Sequence, residues 1–236
     1  MHRRVPVWMC SPLFPFVICF STLSMKLYLS KYKEMLFDLD GVLANTNETK
    51  RRNVLAAAIT VDPNKAKAFT AFFTANSGIT RERKIAKWYD PTDAQNLLLQ
   101  YNALNAATLN ECKLLPGAAR LLHELHANDV TVHIFTGGDE QESITLCEAT
   151  GISRLVSGIH GGPRSKSENV YAGSHQKSAI FFGDRRTDYD FAVEHGFDFV
   201  FVYGNTQFTG WQQFFERITT IQIICSLDEV IIDKEI

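Results

Sequence analysis

Short apolar runs alternate with helical patterns along most of the chain. The runs end at Phe37, Phe135, Phe182 and Val202, and each has the length of a buried strand. Between them lie stretches with apolar residues at helical spacing, such as residues 118–127. Strands that alternate with helices predict an α/β fold, a doubly wound and mostly parallel sheet that helices cover on both faces.

One long block, residues 47–112, interrupts this alternation because it has a helical pattern throughout. Asp62-Pro63 and Asp90-Pro91 each place an N-cap aspartate before a proline in the first helical turn. Further helices are predicted from Asn47 through the alanines at 56–58, after Thr80 and continuing over residues 84–89, and over 94–109. We therefore predict a helical insertion at 47–112 within a core formed by residues 34–46 and 113–236.

The part of the core after the insertion is predicted to continue the same alternation. Residues 139–149, 165–171 and 189–195 have helical patterns, and Leu155-Val156 is predicted as a short strand. Gly161-Gly162-Pro163 is typical of a turn. Residues 209–236 are expected to supply one helix and one or two further short elements.

The first 33 residues differ from the rest. A basic start at residues 2–4 and a mostly apolar stretch at 7–20 are similar to a signal peptide, although Pro12 and Pro15 interrupt it and no clear cleavage site follows. We expect residues 1–33 to lie outside the fold, as a disordered extension or as residues absent from the mature protein if translation starts at Met25. The expected location is cytoplasmic, with secretion or membrane anchoring as the alternative if residues 1–24 act as a signal.

Composition narrows the class of protein. The 236 residues are 45% hydrophobic, which is enough for a sizeable core, and the net charge of −2 favours neither nucleic acid nor an anionic membrane as a partner. The five cysteines form no C-x-x-C pair, which argues against a zinc site or a redox dithiol and favours a reducing compartment.

Two carboxylates follow the first apolar run. Asp38 and Asp40 are two residues apart, so they share one face if the strand continues through them, and Gly41 follows directly. Two close carboxylates repel each other unless a cation lies between them. The pair therefore suits a Mg²⁺ site that also provides a nucleophile and a general acid/base.

Four segments together resemble the motifs of the haloacid dehalogenase superfamily. The first is the stretch 35–43, which reads MLFDLDGVL and matches D-x-D-G-[VT]-[LI] after an apolar strand. Thr136 at the end of an apolar strand matches the second motif, Lys166 the third, and Gly183-Asp184 with Asp188 the fourth. Lys177 competes with Lys166 for the third position. The match spans residues 37–196, most of the chain.

This resemblance implies a phosphatase with an aspartyl-phosphate intermediate. It makes Asp38 the nucleophile and Asp40 the general acid/base, with Thr136, Gly137 and Lys166 binding the phosphate. It also implies Mg²⁺ as the cofactor, held by Asp38, the carbonyl of Asp40 and Asp184. Asp188 would either bind the metal directly or lie just behind its ligands. The implied substrate is a small phosphorylated metabolite, such as a sugar phosphate or a compound similar to phosphoglycolate.

The insertion carries a further resemblance. Residues 77–85 are similar to the cap signature G-x-x-R-x-x-x-[IL] of sugar-phosphate mutases and related phosphatases, including β-phosphoglucomutase-like and phosphoglycolate phosphatases. Gly78 would turn the chain toward the crevice, and Arg81 would contact an anionic or hydroxyl-rich part of the substrate. Arg83 and Lys84 are expected to be solvated.

Several alternatives stay open at this point. A sugar phosphomutase on the same core and a non-catalytic binding module of the same fold both fit the sequence. A phosphonate hydrolase would need a cap lysine, for which Lys84 or Lys87 is available, although nothing in the sequence activates either. Asn45-Thr46 stands where helical-cap relatives often carry Asp-[ST], which leaves the subfamily open. The oligomeric state is also open at this point.

Overall fold

The computed structural model describes residues 24–76, 79–172 and 178–233. The signal-like stretch at 1–23, Gly78 and Lys177 lie outside the described residues, so the expectations for them stay predictions. Within the described residues, no helix is both long and apolar enough to span a membrane.

A parallel sheet forms the centre of the molecule. Its strands are β2 (Glu34–Phe37), β3 (Thr131–Asp139), β4 (Gly158–Gly162), β5 (Ala179–Gly183), β6 (Asp198–Val202) and β7 (Gln222–Ile224). In space they follow the order β4-β3-β2-β5-β6-β7, and each neighbouring pair is parallel. The chain therefore winds outward in both directions from β2, which confirms the predicted doubly wound α/β fold.

Apolar residues of the central strands alternate between two cores. Met35 and Phe37 belong to one cluster, whereas Leu36 belongs to a second cluster that also includes Phe181. Successive side chains of a strand point to opposite faces, so a sheet covered on both sides needs apolar residues at every position. This explains why residues 35–37 of β2 and residues 179–182 of β5 form continuous apolar runs.

Helices cover this sheet. They are α5 (Ala118–His126), α6 (Glu140–Ala149), α7 (Lys166–Ala172), α8 (Arg186–His195) and α9 (Trp211–Phe215). On α5, Leu121, Leu122 and Leu125 are fully buried in the first core cluster, as the spacing of its leucines predicts.

Four consecutive helices lie between β2 and α5. They are α1 (Asn47–Val61), α2 (Pro63–Ala75), α3 (Arg81–Ile85) and α4 (Pro91–Thr108). The side chains of Asp62 and Asp90 accept hydrogen bonds from the backbone amides of the first turns of α2 and α4, as predicted for N-caps. The third helix begins directly after Thr80, as predicted, but it ends at Ile85 and does not continue to Tyr89. These helices share a hydrophobic cluster of their own, centred on Phe69, and are called the cap below.

The boundary drawn at residue 33 is wrong for the last part of the N-terminal segment. Residues of β1 (Met25–Tyr28) pair in parallel with β8 (Val230–Asp233), outside the central sheet. Met25 and Leu27 are buried in the first core cluster. A four-residue strand whose partner lies about two hundred residues away has no local signal, so only the tertiary structure shows that it belongs to the fold.

Two strand predictions also need correction. Leu155 lies in a short 3-10 helix, and the strand follows at β4, which includes the glycines expected to form a turn. Glycine is poor in strands in general, but Gly161 approaches the backbone of Glu140 so closely that an added Cβ would lie 2.7 Å from its Cα. Strand β3 continues to Asp139 with a register shift after Phe135, so Thr136 lies within the strand and not at its end.

Candidate active site

Three carboxylates meet at the carboxyl ends of β2 and β5. Asp38 follows β2 directly, Asp184 follows β5, and Asp188 lies in the first turn of α8. The two strands are neighbours in parallel register, and the amide of Asp38 donates to the carbonyl of Phe182 at 2.8 Å. One carboxylate oxygen from each acid lies within 4.8 Å of the others, and all three residues are buried. The topology thus brings together acids that are about 150 residues apart in sequence.

Lys166 links two of these acids. Its ammonium lies 2.6 Å from Oδ1 of Asp38 and 2.6 Å from Oδ1 of Asp188, and all three side chains are at least nine-tenths buried. Burial alone would lower the pKa of Lys166, but the charges of Asp188 and Asp38 outweigh it and raise that pKa. Burial also raises the pKa of Asp38 to about 7, although Lys166 opposes the shift. The lysine is therefore a fixed positive charge beside the predicted nucleophile.

The carboxylate of Asp184 is fully buried and incompletely satisfied. Among the described residues neither of its oxygens has a hydrogen-bond partner, and the Arg185 Nε lies 3.4 Å away without hydrogen-bond geometry. Burial raises the pKa of Asp184 well above its ordinary value, and only Arg185 and Lys166 oppose this. A buried carboxylate without donors is costly unless a cation binds it. The three acids therefore fit a hard divalent cation such as Mg²⁺, which prefers oxygen ligands.

Gly41 makes close packing around this cluster possible. Its φ of +91° lies in the region that only glycine adopts easily. An added Cβ would lie 2.5 Å from Oδ2 of Asp184 and 2.6 Å from Nδ2 of Asn47. The glycine after the acid pair is therefore required both for the turn and for the approach of this loop to Asp184.

The second acid of the pair, Asp40, is held by two residues at the start of α1. Lys50 donates to both of its carboxylate oxygens at 2.6 Å, and the hydroxyl of Thr46 donates to Oδ1. Burial would raise the pKa of Asp40, but the charge and hydrogen bonds of Lys50 and Thr46 outweigh it, so that pKa is lowered. Sequence reasoning missed Lys50. The i, i+4 spacing of Thr46 and Lys50, which places both on one helix face behind the acid pair, is the signal that could have found it.

The predicted phosphate-binding residues on β3 lie beside the acids. Gly137 and Gly138 line the same pocket as Asp38 and Lys166. The hydroxyl of Thr136 is buried and accepts a hydrogen bond from the amide of Gly138 at 2.9 Å. The hydroxyl thus orders the glycine backbone, whose lack of side chains leaves room for a ligand near the carboxylates.

Arg81 connects the cap to the core. Its guanidinium forms a bidentate ion pair with Glu142 of α6, at 2.5 and 2.6 Å, and donates to Asn102 at 2.6 Å. It also lies over the ring of Tyr101, 4.9 Å from the centroid. Arg81 lines the pocket as well, but its hydrogen bonds go to protein groups. Contact of Arg81 with a substrate accordingly stays a prediction, and Glu142 is a partner that sequence reasoning missed.

The prediction that Lys84 is solvated is wrong. Arg83 is exposed as expected and pairs with Glu168, but Lys84 is only 6% exposed and lines the pocket. Residues three apart on a helix lie on neighbouring positions of one face, so Lys84 follows Arg81 toward the core. Burial, and then the charges of Lys50 and Arg81, lower the pKa of Lys84 to about 7.

Comparison with known proteins identifies a family model that matches most of the chain. Residues 35–202 match the family model described as haloacid dehalogenase-like hydrolase. No curated protein sequence matches the chain significantly.

Solved structures share the fold at low sequence identity. A predicted phosphatase from Clostridium acetobutylicum is 21% identical with a TM-score of 0.68, covering 84% of this chain and 95% of its own. A predicted phosphoglycolate phosphatase from Haemophilus somnus is 18% identical with a TM-score of 0.68, covering 84% and 96%. CbbY from Rhodobacter sphaeroides, solved in complex with phosphate, is 17% identical with a TM-score of 0.62, covering 83% and 95%.

Proposed function

The chain belongs to the haloacid dehalogenase-like hydrolase family, and we propose that it is a Mg²⁺-dependent phosphatase that acts through an aspartyl-phosphate intermediate. One observation carries this proposal: the buried carboxylate of Asp184, which lacks hydrogen-bond donors among the described residues, beside Asp38 and Asp188. Phosphoryl transfer depends mainly on positioning and charge neutralisation, and this cluster can provide both.

The proposed residue roles follow from position. A carboxylate oxygen of Asp38 attacks phosphorus, the ester P–O bond breaks, and Asp40 gives its proton to the leaving oxygen. Water then attacks the same phosphorus, Asp40 takes the proton from this water, and the bond between phosphorus and Asp38 breaks to release orthophosphate. Lys166 stays protonated and stabilises the added negative charge, and the backbone around Gly137 and Gly138 receives the phosphoryl oxygens.

The cofactor would be held by Asp38, Asp184 and Asp188 with the backbone carbonyl of Asp40. When bound, Mg²⁺ supplies positive charge against the phosphate and the buried acids, which relieves the repulsion among the three carboxylates. The carboxyl side chain of Asp40 is engaged by Lys50 and Thr46, which supports a metal role only for its backbone carbonyl.

The substrate is proposed to be a small phosphorylated metabolite. Core and cap residues line one pocket together, which supports a ligand enclosed between the two units, with residues 47–112 as the cap. Structural neighbours solved with phosphate and with xylulose 1,5-bisphosphate also favour phosphorylated ligands. We further propose a cytoplasmic location, which the unpaired state of the described cysteines 112, 147 and 225 supports.

A phosphate-release screen with one isosteric variant tests the proposal. Wild-type protein with Mg²⁺ should release phosphate from members of a panel of sugar phosphates, phosphoglycolate, nucleotides and an aryl phosphate. Asp38→Asn should abolish turnover and the phosphorylated protein seen by intact mass spectrometry after rapid quenching, whereas the exposed Asp190→Asn should retain both. Chelation should stop turnover, and added Mg²⁺ should restore it. Undiminished activity of Asp38→Asn would contradict the proposal.

A further inference from the structure

The cations of the pocket differ in whether a protein carboxylate balances them. Lys50 pairs with Asp40, Lys166 with Asp38 and Asp188, and Arg81 with Glu142. Arg185 lies 3.4 Å from Asp184. Lys84 lines the same pocket, and among the described residues no carboxylate lies within ion-pair distance of it.

The surroundings of Lys84 compensate its charge only in part. The ammonium lies 3.6 Å from the centroid of the Phe73 ring and 3.3 Å from the Phe73 carbonyl oxygen, near the end of α2. Lys84 is only 6% exposed to water. Among nearby charges, the cations Lys50, Arg81 and Arg185 repel it, and only the carboxylate of Asp40, which Lys50 already pairs, attracts it. A desolvated ammonium with one neutral acceptor is far from its full complement of hydrogen bonds, which is three.

We propose that Lys84 is the receptor for a second anionic group of the substrate, so that the enzyme prefers phosphate monoesters that carry a carboxylate or a further phosphate away from the reacting phosphorus. This inference rests on the proposed function, because it takes the Asp38 cluster as the place where the phosphoryl group reacts. The reacting phosphate would lie at the carboxyl ends of the strands, and the distal anion would reach toward the cap.

The charge distribution in the cap supports this assignment. Residues 46–93 carry nine Lys or Arg against five Asp or Glu. Several of these basic residues, such as Lys87, are exposed to water. Lys84 is different because it is buried in the pocket without an acid. An arriving anion would gain a charge-assisted contact there in a region of low dielectric, where such contacts are strongest. A neutral distal group would leave the ammonium uncompensated.

Matched substrates and matched variants test the inference. Phosphoglycolate has a carboxylate where ethyl phosphate has a methyl group. Fructose 1,6-bisphosphate has a distal phosphate that fructose 1-phosphate lacks. We expect Lys84→Met to lower kcat/KM about tenfold to a hundredfold for the preferred pair member that carries the distal anion, and to change it less than about twofold for the counterpart without that anion. Lys84→Arg, which keeps the charge, should retain more of the preference, and the exposed Lys87→Met should retain all of it.

Each outcome of this experiment either supports or overturns the proposed role of Lys84. A selective loss in Lys84→Met supports the inference, and the pair that shows it distinguishes a carboxylate from a phosphate. Equal losses on both members of each pair, or none on either, would overturn it while leaving the phosphatase activity intact. Covalent trapping of a carbonyl substrate on Lys84 by borohydride would also overturn it, because the amine would then act as a neutral nucleophile. If wild type hydrolyses no phosphate ester, the proposed function itself fails, and this inference with it.

Discussion

Replacing Lys84 by methionine should stabilise the substrate-free protein near neutral pH. Methionine has a similar length and fills the same space beside the Phe73 ring without a charge to desolvate. Burial, together with the positive charges of Lys50 and Arg81, lowers the pKa of Lys84 from its ordinary 10.5 to about 7. At low pH the folded protein therefore holds a buried ammonium that the unfolded chain exposes to water.

The size of this effect on the free energy of unfolding follows from the pKa of Lys84 in the unfolded chain and its pKa in the folded protein. Between pH 7 and 10.5 the unfolded chain binds more protons at this lysine than the folded protein does, so its contribution makes the free energy of unfolding rise with pH. At about 1.4 kcal/mol per pH unit, the full span corresponds to about 5 kcal/mol, and the part between about pH 7 and about pH 9.5 to about 3 kcal/mol. Lys84→Met lacks this proton linkage. The free energy of unfolding of Lys84→Met should therefore exceed that of the wild type by the largest amount near pH 7. This difference should be smaller by about 3 kcal/mol at about pH 9.5.

The assay is urea unfolding of both proteins at several pH values in this window, in one buffer system without substrate or added metal. Comparing the two proteins at each pH cancels the titration of the remaining groups to first order. Lys87→Met serves as the control, because its ammonium stays in water in both states, and its stability difference from wild type should be near zero throughout. A stability difference between Lys84→Met and wild type that does not change with pH would refute the reasoning.

Three further predictions concern the contacts of the cap and of the N-terminal strand. Lys50→Met should raise the pKa of Asp40, because the lysine holds that pKa down, and should therefore move the limb of the pH profile of kcat/KM that reports Asp40 to higher pH; an unchanged profile would contradict this. Glu142→Gln should lower the free energy of unfolding by about 3 kcal/mol in urea, since it leaves the buried Arg81 without its carboxylate, whereas breaking the exposed pair of Arg83 should cost under about 1 kcal/mol. A chain that begins at residue 34 should lose about 3 to 5 kcal/mol relative to one that begins at Met25, because two buried side chains of β1 are removed; equal urea midpoints would show that β1 contributes nothing.

The sequence alone determined the core of the fold and the order of its acids. Apolar runs mark most of β2, β5 and β6, because a strand covered on both faces buries the side chains of both faces. An acid that directly follows such a run lies at the carboxyl end of its strand, so Asp38 and Asp184 could be placed at one edge of the sheet. The N-caps Asp62 and Asp90 were equally local, since each bonds to amides two and three residues ahead.

Only the tertiary structure decided what the charged residues of the cap contact. The ion pair of Arg81 with Glu142 joins residues 61 apart, and nothing in either local sequence identifies its partner. Lys84 is buried because the cap packs its helix face against the pocket, whereas local composition alone suggested a solvated lysine. Strand β1 likewise depends on β8 at the far end of the chain. Local sequence specifies which residues can form a strand, a cap or an acid pair, but the burial and the partner of a charge depend on surfaces that meet only after the chain has folded.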